Sequence, residues 1–190
     1  MDSMMDITRY PHLLVGVPLM VAIFWQLRGA GRSFSMVKEE GVKPRVSLIS
    51  FAFFVTVIEG FNAPLNPYRW MIVPGFAILC FAILLFNAAR ASIRGKFFSY
   101  IYSDDAPQFL HTSGPYRYVR NPFYSSYLLT FLAAAVLAPN LVTIAVPVVM
   151  FVFLMFAARH EERKFSRSPD PVAKEYAEYK KRTGMFFPRF

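Results

Sequence analysis

The sequence predicts an all-α polytopic membrane protein with about five transmembrane helices and a polar C-terminal region at one membrane face. Three observations predict it. Hydrophobic residues make up 55% of the 190, including 21 Phe, more apolar surface than a soluble domain of this size buries. The apolar residues gather in five runs near membrane-spanning length. The basic residues then fall almost wholly on one side of the topology that those runs define.

The first run covers residues 12–27, with Pro18 inside it. It follows Asp2 and Asp6 rather than a basic stretch, so it reads as a span and not a cleavable signal peptide. The second, 46–61, carries Glu59, the one acid within an apolar run. An intramembrane carboxylate is a functional candidate by default. Gly60, Asn62 and Pro64 beside it instead suggest the interface, where it would be solvated. The third run, 70–89, contains Pro74 and the lone Cys80; one cysteine in an apolar run excludes a disulfide framework and reads as packing. Both Pro18 and Pro74 are expected to kink their helices. The fourth and fifth runs, 122–138 and 141–158, are split by Ala138-Pro139-Asn140, a break that fits a tight helical hairpin. Runs shorter than about 20 residues are tolerated where helices pair or the bilayer thins.

Charge tests this topology. With the N-terminus outside and one crossing per run, the inner segments are 28–45, 90–120 and 159–190. They hold 5, 5 and 9 of the 21 Lys and Arg, leaving only Arg9 and Arg69 outside. The asymmetry supports five spans and a cytoplasmic C-terminus, in a bacterial inner membrane or the endoplasmic reticulum. It also accounts for the net charge of +9 without a nucleic-acid partner. The expected partners are the lipid bilayer and a lipophilic molecule within it.

Chemistry concentrates at the cytoplasmic face. Residues 110–127 are polar, aromatic and basic, and run directly into the fourth span. Asn121-Pro122 reads as a helix start, with the Asn side chain capping a first-turn N–H and Pro at the first helical position. The free N–H groups and partial positive charge there suit an anion, and Ser125 and Ser126 let a ligand come close. At the end of the fifth run stand Arg159, His160, Glu161 and Glu162. Two carboxylates at a helix C-terminus oppose the dipole, which marks them as functional candidates. The short hairpin should bring them to Asn121. Beyond the turn Ser168-Pro169-Asp170-Pro171, Tyr176 and Tyr179 are spaced to share one face of a surface helix or lid.

These residues resemble the isoprenylcysteine carboxyl methyltransferase and phospholipid methyltransferase superfamily. Its signature, G-x-Y-x-x-x-R-[HN]-P-x-Y, corresponds to the run from Gly114 to Tyr124. A helical hairpin follows, then Glu161, Glu162 and Phe165, then Tyr176, Tyr179 and Pro188. The resemblance implies S-adenosyl-L-methionine as cofactor and divides the chain into helices 1–107 and a methyltransferase-like region 108–190. It implies a cofactor site from Gln108, Phe109, Leu110, His111, Tyr116, Asn121, Pro122, Phe123, Tyr124, Glu161 and Glu162. Arg159 and Arg120 are the candidates for steering an anionic group on the acceptor, and no metal cluster is read. The sequence departs from the pattern in three places. Ser125 and Ser126 follow the motif tyrosine where the family usually has a glycine. The spacing from Glu162 to Tyr176 is longer, and Ala157 stands where a basic residue is usual. Two other readings stay open from the residues: an NADPH-dependent sterol-type reductase and a non-catalytic membrane scaffold.

Overall fold

The computed structural model describes residues 11–34, 42–62, 68–93 and 110–189. Gln108, Phe109 and the expected division at 107/108 lie outside the described residues. Six α-helices are present among those residues: α1 (Pro11–Phe34), α2 (Val42–Asn62), α3 (Ile72–Ser92), α4 (Pro122–Leu137), α5 (Leu141–Ser166) and α6 (Val172–Arg182). There is no strand among them; one parallel bridge joins Val119 to Gly184. Three helices, α1, α3 and α5, are long and apolar enough to cross a membrane, and α2 and α4 hold shorter apolar stretches. The chain is an all-α polytopic membrane protein.

The shortest apolar helix is the most central. Sixteen residues of α4 reach about 24 Å, less than the ~30 Å hydrocarbon core of a bilayer. It is nonetheless shielded: Tyr124, Tyr127, Phe131, Ala134 and Leu137 are all buried against α2, α3 and α5. The buried face of α3 is Gly75, Leu79, Ala82, Phe86 and Ala89, alternating steps of four and three. That spacing is a heptad seam, and its small residues let the helices approach closely. A Cβ on Gly75 would lie 2.6 Å from Leu137 Cδ2, so the seam closes on glycine.

Polar side chains inside the bundle are satisfied in pairs, as lipid requires. Gln26 Nε2 on α1 donates to Thr130 Oγ1 on α4 (3.0 Å), and the threonine hydroxyl lies 3.1 Å from the Ser126 carbonyl it can donate to. On the outer surface of the bundle, the exposed Trp25 Nε1 likewise donates to Asn87 Oδ1 on α3 (2.9 Å).

The hairpin between α4 and α5 forms where Pro139-Asn140 predicts it. Asn140 Oδ1 accepts from Thr143 N–H (2.9 Å) while Thr143 Oγ1 accepts from Asn140 N–H (2.8 Å), a reciprocal cap. Asn140 Nδ2 also donates to Glu59 Oε2 (2.8 Å). Glu59 therefore ties the end of α2 to the hairpin rather than standing merely solvated. Loss of such a cap costs about 1 kcal/mol, and Asn140→Ala also strips a donor from a half-buried carboxylate. Thermal unfolding in detergent should show Asn140→Ala lowering the midpoint by a few degrees, with Glu59→Gln closer to the parent protein.

Candidate functional site

The other end of the α4–α5 hairpin holds the expected site. The chain reaches it through a 3₁₀ turn, Gly114–Arg117. Gly114 has φ +60, a left-handed conformation, and packs against Ser92. The turn buries Tyr116, whose carbonyl accepts the Tyr179 hydroxyl of α6 (2.6 Å). His111 packs edge-on against the Tyr116 ring (centroids 5.1 Å) and lies 3.2 Å from Ser113 Oγ through Nε2. Partial burial holds the His111 pKa below its ordinary value, which favours a neutral ring at neutral pH.

The C-terminal segment then returns as a strap beside the start of α4. Arg120 N–H donates to the Gly184 carbonyl (2.9 Å), Asn121 N–H to the Met185 carbonyl (3.1 Å) and Gly184 N–H to the Tyr118 carbonyl (3.3 Å). Ser125 Oγ donates to the Phe186 carbonyl (2.7 Å). The strap doubles back so sharply that a Cβ on Gly184 would run into the Phe187 carbonyl oxygen.

Two buried carboxylates from α5 meet these elements. Glu161 Oε1 accepts the Tyr124 hydroxyl at 2.6 Å. Glu162 Oε1 accepts from Arg120 Nε (2.8 Å) and Asn121 Nδ2 (3.3 Å), and Lys180 Nζ lies 3.7 Å from Oε2. Arg120 Nη1 also donates to the Thr183 carbonyl. Helix α5 runs to Ser166, two turns beyond the end of the apolar run, and Arg163 and Lys164 occupy its last turn. The carboxylates thus sit inside the helix with cations after them, which relieves the expected conflict with the dipole.

An aromatic wall completes the cluster. Phe165 stacks on Tyr176 (centroids 5.1 Å, 21° between planes), and Tyr176 neighbours Tyr179. Among the described residues, the Tyr176 hydroxyl is a buried side-chain atom without a hydrogen-bond partner. Burial pushes the phenols of Tyr116, Tyr176 and Tyr179 up, so they remain protonated donors. The negative charge of Glu162 adds to the shift at Tyr176.

One expectation is corrected. Asn121 occupies the N-cap position before Pro122, but its side chain makes no capping bond. The amide donates instead to the Glu162 carboxylate and to the Met185 carbonyl (3.4 Å). A charged acceptor attracts an amide N–H more strongly than a helix N–H attracts the amide oxygen. Of the other expected residues, Tyr116, Pro122, Tyr124, Glu161 and Glu162 are buried and Leu110, His111 and Phe123 half-buried. Arg120 is enclosed in the ion pair, with 9% of its side chain exposed, whereas Arg159 is exposed on α5. Gly184, Thr183 and Lys180 are not among the expected site residues; the nearby sequence signals are the Tyr176/Tyr179 pair before them and Pro188 after them.

Residues 70–168 match the sequence profile of the family described as phospholipid methyltransferase. The chain belongs to that family. The matched stretch takes in α3, the 3₁₀ turn, α4 and α5, and so Arg120, Asn121, Tyr124, Glu161 and Glu162; α6 and the strap follow it. Over 80 residues the chain is also 39% identical to the cobalt-zinc-cadmium resistance protein CzcN of Cupriavidus metallidurans. That similarity covers 42% of this chain and 36% of that protein, so the chain aligns with about a third of its relative.

The strap predicts its own sensitivity. Gly184→Ala should raise amide exchange at Arg120 and Asn121 about tenfold or more, read by hydrogen-exchange mass spectrometry, while the Asn140 hairpin stays protected. Unchanged exchange at 120–121 would mean that the turn at Gly184 does not hold the strap.

Proposed function

We propose that this membrane methyltransferase family member uses S-adenosyl-L-methionine to methylate a lipophilic acceptor. The observation that carries the reading is the Tyr124–Glu161 contact at 2.6 Å, buried across the hairpin and inside the family-matched stretch. The donor set suits the cofactor. It carries an ammonium and a sulfonium, for which a buried carboxylate is the natural counter-group, and a purine, for which the Phe165–Tyr176 stack and Tyr116 offer flat apolar faces. The buried Tyr176 hydroxyl, close to the Glu162 carboxylate, adds a polar edge to that wall.

Each residue then has a distinct task. Glu161, oriented by Tyr124, accepts hydrogen bonds from the cofactor's amino or hydroxyl groups. Glu162, also expected in the cofactor site, holds Arg120, Asn121 and Lys180, and through them the strap, and so shapes the site from behind Glu161. Leu110, His111, Pro122 and Phe123 close the site around the first turn of α4. The sulfonium, when bound, supplies an activated methyl group together with its own leaving group. The protein's part is alignment of an in-line displacement and exclusion of water. We assign Arg120 to positioning. Arg159, exposed on α5, is the cation that would meet an anionic acceptor group. We further propose five crossings, with the N-terminus outside and the site at the cytoplasmic face, a topology in which 19 of 21 basic residues fall on the inner side. An acceptor would then arrive from the inner leaflet.

Calorimetric titration of the full chain in detergent with S-adenosylhomocysteine tests this. Saturable binding is expected, weakened about tenfold or more by Glu161→Gln, since a hydrogen bond to a charged group contributes ~1.5–3 kcal/mol. Binding of NADPH in its place, or binding indifferent to Glu161→Gln and Tyr124→Ala, would overturn the proposal.

A further inference from the structure

An apolar slot of about 270 Å³ opens beside the carboxylate cluster, on a neighbouring flank of α4. α3 contributes Phe81 and Leu85, α4 contributes Leu129 and Leu132, and the strap contributes Phe187. Residues three or four apart on a helix stack along its axis, so the slot runs lengthwise between the two helices. Its rim is exposed: Phe81 by 57%, Leu132 by 44% and Phe187 by 63%. It therefore opens sideways on the outer surface of the bundle, the surface that meets lipid.

The slot is poorly suited to water. A buried water needs two to four polar partners, and Ser125, one of the few polar side chains in the wall, already donates to the Phe186 carbonyl. Its volume admits on the order of nine water-sized groups, a chain segment of about that many methylenes and not a two-chain lipid. One end of the slot is charged. Tyr118 lines it, and the exposed Arg117 guanidinium sits 5.8 Å over the Tyr118 ring. Arg189, also exposed, follows Pro188 of the lining. Hydrocarbon between helices with cations at one mouth is complementary to an anionic amphiphile, chain inward and headgroup at the basic face.

We propose that this slot binds one acyl chain of an anionic membrane phospholipid, with its headgroup held at Arg117. The site is separate from the Glu161 cluster and needs neither cofactor nor turnover, so its test stands apart from that of the methyl-transfer reading.

The full chain is reconstituted in nanodiscs containing phosphatidylglycerol or phosphatidylcholine with a photoactivatable diazirine in the acyl chain. Cross-links are then mapped by mass spectrometry. The anionic lipid should label residues 118–132 and 186–189 several-fold above the exposed outer face of α5, from Val148 to Phe156. Arg117→Ala should cut the preference for the anionic lipid by about fivefold. Leu129→Trp, which fills the slot, should abolish labelling there for both lipids while helicity and elution volume stay unchanged; Leu132→Phe serves the same purpose if that variant does not fold. Labelling spread evenly over the slot and α5, or insensitive to these substitutions, would overturn the proposal.

Discussion

The ion pair between Arg120 and Glu162 organises this end of the molecule. Both side chains are more than nine-tenths buried and meet at 2.8 Å. A charge in such surroundings is costly unless paired and fully hydrogen-bonded, so neither residue tolerates loss of the other. Arg120 also reaches the Thr183 carbonyl, and Glu162 takes the Asn121 amide. Segments that lie 41 to 63 residues apart in the chain are thereby gathered around one carboxylate. With Glu162 fixed, the preceding residue of α5 is fixed too, and Glu161 meets Tyr124 from the first turn of α4.

The rest of the bundle serves this arrangement. α4 is too short to span a bilayer unaided, yet it carries the motif residues, so it must be sheathed. The heptad seam of α3 sheathes it on one side, and α2 and α5 on another. The Gln26–Thr130 pair fixes its depth against α1. At the far end, the Asn140 cap and Glu59 set the hairpin, which sets the register of α4 against α5. The family match stops near the end of α5, while α6 and the strap that close the cluster lie beyond it. In our reading a matched hairpin supplies the carboxylate and the tyrosine, and the following tail supplies the wall and the latch.

Much of the fold was legible because membrane helices obey one dominant pattern. The fourth run, 122–138, became α4 at Pro122–Leu137, and the fifth began where Pro139-Asn140 placed it. Its end was underestimated: hydropathy stops at Ala158, but hydrogen bonding carries α5 on through its charged turns to Ser166. The tyrosine pair was legible for the same periodic reason, and both residues are buried on one face of α6. The pairing of Val119 with Gly184 was not legible, because backbone bonds between distant segments leave no periodicity. Asn121 was misread because a local rule, the N-cap, was weighed without the carboxylate that competes for its amide.

A double-mutant cycle over Arg120→Ala and Glu162→Ala, with unfolding free energies measured in detergent, addresses the clamp most directly. A buried pair at the centre of a shared network predicts coupling of about 1–3 kcal/mol, with the double variant less destabilised than the two single losses together. Additive losses, with coupling near zero, would contradict it.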